Sequence, residues 1–452
     1  MRYACCGNEG ATAETTECEQ LTANILLKYY FMLIILMQDQ QEENTAQAFQ
    51  IPVTRTQQVY INMRDPRLLK YYYRFNTLSK INGTDLSGSS PPDIFVGRFG
   101  YPYVYIGPLV PPEFGDTSVL ANPEEWVGKS ISDIVAYRST LVRGMFKADV
   151  RSATGSGRVE DMLQELAIAD KYTNVDMQLA RRPSLNLSFD ENSQPFGPSA
   201  PLKELHIGNT KANRQIEDAY FDTAMPATDA VIELYDKGVS VVKIQKAFSG
   251  GALGIGAKRR FVPTRWSITA VDDIISKHKV NEAKEYNTID TFRVYETIGL
   301  DNRWLILMAP GEWSYELIEA WYPNTTWNMN RNDIAIYSSH EFFEGRKTYA
   351  EIGGCYYAAR LAVSELFERI QKQAKVVIMR EVHSGYTLPV GVWNTREHVR
   401  QALRQEPKYF DTLSAALGYI STKLEIPMST WIKNSDVLKS LFYQKGISNY
   451  LS

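Results

Sequence analysis

The apolar residues of this chain recur at helical spacing most clearly between positions 355 and 372. One predicted helix face carries the apolar positions Cys355, Ala358, Ala359, Ala362, Val363, Leu366 and Ile370. The opposite face carries the charged positions Glu365, Glu368, Arg369 and Lys372. The apolar run Val376–Met379 follows directly and predicts a strand, so a helix leads into a strand here.

Three further segments predict strands. Asp93–Gly97 and Tyr103–Ile106 are short and rich in β-branched and aromatic residues. Trp304–Met308 is apolar throughout and stops before Pro310, as a buried strand would. The strands are separated by loops and helices, which indicates a fold of mixed type.

Helix and loop signals lie between these strands. Pro123 begins a predicted helix that reaches Ser139, with acidic residues in its first turn, where they suit the helix dipole. Asp229–Lys237 predicts a second helix, ended by a glycine. The Gly, Ser and Pro content of Asn82–Pro92 predicts a loop. Together these elements predict a mixed α/β or α+β architecture.

The length of 452 residues leaves room for two or three domains. Residues 1–50 form a predicted N-terminal extension with one apolar segment, Ile25–Met37. That segment is too short for a comfortable membrane span and lacks a cleavage site, so a buried or partner-bound helix is expected and no membrane. A start at Met37 instead of Met1 is an alternative.

Charge and cysteine content narrow the function classes. The net charge of −3 excludes a bulk polyanion binder, so any contact with DNA needs a local basic patch. Four cysteines are too few for a disulfide-built domain, which favours a cytoplasmic protein. Zinc is disfavoured, because Cys5, Cys6 and Cys18 lack paired spacing and have no histidine nearby.

Three cationic stretches are candidates for binding phosphate. The glycine-rich run Ser249–Arg260 ends in three cations but fits neither the P-loop nor the dinucleotide fingerprint, and a flexible turn explains it about as well. Residues 264–269 combine a cation, an indole and hydroxyls, a set that suits a phosphate and a base. Residues 344–349 precede a helix that begins with glycines.

Several acids are candidates for catalysis. Asp272 and Asp273 would suit Mg²⁺, although an acidic pair that opens a helix is the commoner explanation. Glu381 and His383 are spaced as acid and base partners, although ordinary salt bridges are the safer interpretation. No nucleophile with a recognised spacing accompanies them, so no catalytic residue is assigned.

Four unusual strings resemble the signatures of the archaeal Nre proteins. They are Ser89–Pro102, Val262–Asp273, Gly345–Ala350 together with Gly353–Ala362, and Pro389–Asn394. The likeness covers roughly residues 52–451. The resemblance implies a role in DNA damage repair. It also implies an Nre N-terminal domain at 51–335 and an Nre C-terminal domain at 336–440, packed together. A short flexible tail at 441–452 is then expected to bind the sliding clamp PCNA. Some members carry a four-cysteine zinc finger that this chain does not match.

The tail itself fits the clamp-binding pattern Q-x-x-h-x-x-a-a, with leucine in place of the second aromatic residue. Such a peptide forms one helical turn that directs its apolar residues into a single pocket. A frayed C-terminus is the plain alternative. The residues assigned to the clamp contact are Gln444, Lys445, Gly446, Ile447, Ser448, Asn449, Tyr450 and Leu451.

The leading hypothesis is therefore a clamp-tethered repair factor with a core that binds a nucleotide or DNA phosphate. One alternative is a nuclease or phosphohydrolase that uses Mg²⁺ and Asp272, Asp273 or Glu381; another is a non-catalytic repair adaptor. The cofactor is open, with a nucleotide as the candidate. The residues expected to converge on one pocket are Arg98, Arg259, Arg260, Thr264, Arg265, Trp266, Arg346 and Lys347.

Overall fold

The computed structural model describes residues 81, 83–155, 157–184, 193–195, 197–328 and 332–443, all within one compact unit that spans residues 55–452. The expected extension at 1–50 and the expected clamp-binding residues 444–451 lie outside the described residues. Within the described ranges, no helix combines the length and apolar character needed to cross a membrane. The prediction of a mixed α/β architecture is confirmed.

Two six-stranded sheets form the framework of the described residues. The strands of the first sheet are β1 (Asp85–Ser90), β2 (Ile94–Val96), β3 (Tyr103–Val110), β4 (Val142–Asp149), β5 (Thr173–Leu179) and β6 (Ser199–Ile207). Those of the second are β7 (Phe292–Gly299), β8 (Asn302–Ala309), β9 (Ser314–Trp321), β10 (Ala335–Glu341), β11 (Lys375–Val382) and β12 (Lys408–Phe410). The short strands predicted around residues 94, 104, 306 and 377 are all confirmed.

Helices separate and cover the two sheets. They are α1 (Ile131–Thr140), α2 (Arg158–Ile168), α3 (Arg214–Phe221), α4 (Ala227–Asp236), α5 (Val241–Ser249), α6 (Thr264–Ala283), α7 (Gly354–Ile370), α8 (Trp393–Leu403), α9 (Leu413–Ser421), α10 (Met428–Asn434) and α11 (Asp436–Tyr443). The helix predicted from Cys355 to Ile370 corresponds to α7, and most of its residues are buried. The helix predicted over Asp229–Lys237 corresponds to α4.

The first sheet has the strand order β1-β5-β6-β4-β3-β2. All neighbours are antiparallel except β4 and β6, which are parallel. One face packs against α2, so Val104 and Ile106 of β3 share a core with Leu163 and Leu166 of the helix. Residues of β3 that alternate with Val104 and Ile106 therefore point to the other face.

The second sheet has the order β10-β9-β11-β8-β7-β12, with only β9 and β11 parallel. One face packs against α7, and the other against α9, α10 and α11. Because both faces are covered, central strands such as β8 and β11 contain continuous apolar runs, Trp304–Ala309 and Val376–Met379, instead of alternating patterns. The expected domain boundary between residues 335 and 336 falls within β10. The strands β7, β8 and β9 precede this boundary in the chain, yet they belong to the same sheet as β11 and β12, which follow it.

The prediction of a loop at Asn82–Pro92 was wrong, because β1 occupies most of it and pairs with β5. The reason is close packing: a Cβ on Gly88 would lie 1.8 Å from the carbonyl oxygen of Pro111. The small residues that suggested a loop instead let a neighbouring segment of backbone approach the strand.

The single helix predicted from Pro123 to Ser139 is divided in the structure. A 3₁₀ turn at Pro123–Glu125 ends before Gly128, whose φ of 82° leaves the helical region. Ser130 then begins α1 with a capping box, in which its side chain and that of Asp133 each accept a hydrogen bond from the other's backbone N–H.

Candidate functional site

A cavity of about 440 Å³ opens beside the amino-terminal half of α6. Three segments far apart in sequence form its walls: the loop after β2, one face of α6, and the residues around the start of α7. The lining residues are Arg98, Arg265, Trp266, Thr269, Ala270, Asp273, Tyr349 and Tyr357. We call this the arginine–aromatic cavity. Its volume lies within the range of small-molecule sites.

Helical spacing places five of these residues on one face of α6. Successive positions among 265, 266, 269, 270 and 273 are one or three residues apart, and residues 265, 269 and 273 and residues 266 and 270 are four apart, so their side chains project to the same side. The Oγ1 atom of Thr264 accepts a hydrogen bond from the backbone N–H of Val96 at 3.0 Å. This bond ties the end of β2 to the start of α6, and it brings Arg98 beside Arg265.

Aromatic rings form two walls of the cavity. The indole of Trp266 is 44% exposed and lies 5.4 Å, centroid to centroid, from the ring of Tyr101. On the other side, the rings of Tyr349 and Tyr357 are 5.3 Å apart. The hydroxyl oxygen of Tyr357 accepts a hydrogen bond from the Ala350 backbone N–H at 2.9 Å, and burial raises the pKa of Tyr357, which keeps it neutral.

Two arginines and one carboxylate lie among the described lining residues of the cavity. The carboxylate, Asp273, is already engaged by the guanidinium of Arg360 and by the ammonium of Lys277, the latter at 2.9 Å. Arg98 and Arg265 place guanidinium groups at the lining. The amino terminus of α6 adds the positive end of the helix dipole. This arrangement suits an anion beside an aromatic surface.

Arg346 supports the cavity wall instead of lining it. Its guanidinium pairs with Glu351 at 2.8 Å and donates to the backbone carbonyls of His340 and Tyr349 at 2.7 and 3.3 Å. These bonds hold the loop that carries Tyr349. Lys347, next along this loop, is exposed and is not part of the lining.

The glycine-rich run lies outside the cavity. Arg259 is buried, and its guanidinium donates to the backbone carbonyls of Gly254 at 2.8 Å and Asp222 at 3.2 Å. A Cβ on Gly251 would come within 2.8 Å of Ala153, so close packing accounts for this glycine. Arg260 is exposed at the end of the run.

Of the eight residues expected to converge, the structure places Arg98, Arg265 and Trp266 in the cavity lining. Thr264 and Arg346 hold its walls, whereas Arg259, Arg260 and Lys347 lie elsewhere. Thr269, part of the predicted phosphate-binding stretch 264–269, also lines the cavity. Sequence reasoning did not assign the lining residues Ala270, Tyr349 and Tyr357 to the pocket. The spacing of Ala270 four residues after Trp266 was the available signal for that residue.

The three acids considered for catalysis are separated in the structure. Asp272 is fully buried, accepts from Arg396 at 3.0 and 3.1 Å, and is not among the residues that line the cavity. Glu381 on β11 accepts from the backbone N–H groups of Glu425 and Ile426 at 3.1 and 2.8 Å. Asp273 alone reaches the cavity, so these acids do not form one metal site.

One group of potential metal ligands occurs among the described residues, formed by Glu316, His340 and Asp436. Glu316 already accepts hydrogen bonds from the hydroxyls of Ser338 and Ser435. It also accepts from the backbone N–H groups at the start of α11, at 3.1 and 2.9 Å. Its oxygens are thus used to cap that helix.

Comparison with known families gives two matches that together span most of the chain. The family described as archaeal Nre, N-terminal, matches residues 64–328. The family described as archaeal Nre, C-terminal, matches residues 341–450. No solved structure matches the chain.

Individual relatives agree with these matches. DNA repair protein NreB of Archaeoglobus fulgidus is 42% identical over 356 residues, which is 78% of this chain and 89% of the relative. DNA repair protein NreA of the same organism is 34% identical over 358 residues, 78% of this chain and 88% of the relative. DNA repair protein NreA of Haloferax volcanii is 32% identical over 370 residues, 80% of this chain and 88% of the relative.

Proposed function

This chain belongs to the archaeal Nre family, and on that premise we propose that it is a DNA repair factor that holds a nucleotide unit of DNA in the arginine–aromatic cavity. We further propose that residues 444–451 tether it to the sliding clamp PCNA. Its relatives are named as DNA repair proteins, which supports the repair role. The arginine–aromatic cavity is the observation that supports nucleotide binding.

The chemistry of the cavity favours a nucleotide over a purely apolar ligand. Guanidinium groups match the oxygens of a phosphate in charge and in geometry, and Arg98 and Arg265 supply two of them. The exposed face of Trp266 suits a base, because aromatic rings stack on any nucleobase. Phosphate and base contacts then occur within one cavity of suitable volume.

Three of the four signature strings meet at this cavity. Arg98 comes from the first, the face of α6 from the second, and Tyr349 and Tyr357 from the third. The fourth string, Pro389–Asn394, leads into α8 and does not line it. Because three separate signature strings contribute side chains to one cavity, we expect these strings to serve one function.

Calorimetric titration with a panel of nucleotides and short oligonucleotides tests the cavity. Arg265→Ala should weaken binding by about 1.5–3 kcal/mol, the scale of a hydrogen bond to a charged group. Arg404→Ala is the matched control, because Arg404 is exposed beyond α8 and away from the cavity. Equal affinities of the original protein and the Arg265→Ala variant would contradict the proposal.

The clamp contact is tested separately. Deletion of residues 444–452 should abolish binding to the cognate PCNA without lowering Tm, because chain termini rarely contribute to a core. Tyr450→Ala alone should remove most of the affinity, since a buried aromatic anchor dominates a short peptide interface. Lys445→Ala is the control with little expected effect. Full-strength binding by the truncated protein would place the interface elsewhere.

A further inference from the structure

The outer face of the first sheet presents a row of exposed tyrosines. Tyr103 and Tyr105 of β3 are 54% and 47% exposed, and Tyr101, just before the strand, is 49% exposed. Their neighbours Val104 and Ile106 are buried against α2. The period of two therefore separates an apolar inner face from an aromatic outer one. We call Tyr101, Tyr103 and Tyr105 the tyrosine strip.

Cations lie beside the tyrosine strip. The register of β3 and β4 places Lys147 opposite Tyr105 and Asp149 opposite Tyr103. Asp149 is paired with Arg151 at 2.5 Å, and hydrogen bonds from Arg151 lower the pKa of Asp149 to about 2. Because Lys147 remains beside this neutralised pair, the local charge is positive on a chain whose net charge is −3.

Arg260 contributes to the same patch, because its charge lowers the pKa of Asp149 as well, after the larger effect of Arg151. The adjacent Phe261 backbone N–H donates to the Val150 carbonyl at 2.8 Å, which holds Arg260 at the end of β4. Among the described residues, neither Lys147 nor Arg260 forms an ion pair.

The tyrosine strip continues into the arginine–aromatic cavity. The ring of Tyr101 is 5.4 Å from that of Trp266, which forms a cavity wall. Arg98, also in the lining, lies 4.9 Å from the ring of Phe99, a side chain that is 64% exposed. Aromatic and cationic side chains thus form one surface from β3 to α6.

We propose that this surface is a binding track for single-stranded DNA. Bases stack on the tyrosine strip, phosphates lie near Lys147, Arg151 and Arg260, and one nucleotide at the end of the track enters the cavity. This inference rests on the proposed function for that last nucleotide. Tyr103 and Tyr105, two residues apart on a strand, are separated by about 6.6–6.8 Å along it, which leaves each ring open to its own base.

The choice of a single strand follows from the aromatic rings. In a duplex the bases are stacked on one another and present only their edges in the grooves, so exposed tyrosine faces would find no partner. Unpaired bases each offer a face to an aromatic ring, whatever the sequence. The adjacent cations complement the phosphates of the strand.

Fluorescence anisotropy with a labelled oligothymidylate, and with a duplex of equal length, tests the track. The double variant Tyr103→Ala, Tyr105→Ala should lose at least tenfold in affinity for the single strand, since each base–aromatic contact contributes severalfold or more. Tyr409→Ala is the matched control, because Tyr409 is also 54% exposed and lies beside Arg293 on an edge strand of the other sheet. It should leave the affinity unchanged.

Charge is tested in the same assay by the salt dependence of binding. The Lys147→Ala, Arg260→Ala variant should lower the slope of log affinity against log salt by about 0.7 for each phosphate that it no longer neutralises. Lys408→Ala, an exposed lysine beside Tyr409, is the control and should keep the slope. An unchanged slope in the double variant would overturn the assignment of these cations.

The outcomes separate the track from the cavity. If the tyrosine double variant binds the oligonucleotide as well as the original protein does, the track is wrong, even if Arg265→Ala still weakens nucleotide binding. Equal losses on duplex and single strand would also overturn it. Strip-dependent oligonucleotide binding without any mononucleotide binding would support the track while contradicting the proposed function of the cavity.

Discussion

Arginines occupy two contrasting regions of this molecule, the covered core around the second sheet and the arginine–aromatic cavity. Arg360, Arg380 and Arg396 are at most 2% exposed in their side chains, and each pairs with a carboxylate. Arg98 and Arg265 are only partly buried and line a cavity open to solvent. The same side chain is thus a structural ion-pair partner in one region and a candidate ligand contact in the other.

The difference shows how burial decides the role of a cation. A charge removed from water is stable only where an opposite charge and hydrogen bonds replace its hydration. Arg380 illustrates this: it donates to Glu319 at 2.9 Å and to Asn302 at 2.8 Å, and its guanidinium lies 4.5 Å from the Trp304 ring. A cation that lines a cavity open to solvent is also accessible to a ligand anion such as a phosphate.

The largest effect is expected from breaking a core pair. Arg380→Met should lower the free energy of unfolding by about 3–5 kcal/mol, because it leaves the Glu319 carboxylate, 0% exposed, without its cation. Urea unfolding measures the loss. Addition of Glu319→Gln should recover part of it, since the unpaired charge is then removed. A loss of unfolding free energy below about 1 kcal/mol would contradict the interpretation of Arg380 and Glu319 as a buried ion pair.

A second prediction concerns Asp272, the buried partner of Arg396. Burial raises the pKa of Asp272 from 3.8 to about 6, so the folded state binds this proton more tightly than the unfolded chain does. The resulting stability is fully present below about pH 4 and is lost as the pH rises through 6. The stability advantage over Asp272→Asn should therefore shrink across this window by on the order of 2–3 kcal/mol.

Urea unfolding of both proteins at pH 4, 5, 6 and 7 checks this behaviour. The Asp272→Asn variant supplies the baseline, because its amide does not titrate while its shape is nearly the same. A stability difference that stays constant with pH would mean that the carboxylate is ionised throughout, as a full ion pair with Arg396.

Substitution at the cavity should show the opposite pattern. Arg98→Ala should leave the free energy of unfolding within about 0.5 kcal/mol, the usual range for a surface change. Nucleotide affinity should fall by about 1.5–3 kcal/mol. Arg98→Lys should retain part of the affinity, since it keeps the charge but loses the planar fork. Destabilisation comparable to that of Arg380→Met would place Arg98 with the core arginines.

The smallest effect is expected at the exposed pair below the cavity. Lys277 is 56% exposed, and Lys277→Ala should reduce stability by only about 0.3–0.5 kcal/mol, because solvent screens the pair and Asp273 keeps its bond to Arg360. Thermal unfolding in low and high salt measures it. A loss above about 1 kcal/mol would show that Asp273 depends on both cations.

Much of the local structure was predictable from the sequence. The apolar face of α7 and the run that forms β11 are strong, regular patterns, because both are covered along their length by other elements. The prediction was wrong at β1, where Gly88 serves a close approach of the Pro111 backbone. The sequence of a glycine-rich segment alone does not distinguish a turn from a strand that another backbone segment approaches closely, because the approaching residues lie elsewhere in the chain.

The sequence by itself determined α4, α7, the strands around residues 94, 104, 306 and 377, and the strings that contain the cavity residues. Which cations meet at the cavity was decided only by the tertiary structure. Arg265 and Asp272 lie seven residues apart on one helix, yet Arg265 lines the cavity while Asp272 meets Arg396, 124 residues further along the chain. Helical periodicity places a side chain on a face, but the burial and charge of that face depend on the distant elements that pack against it.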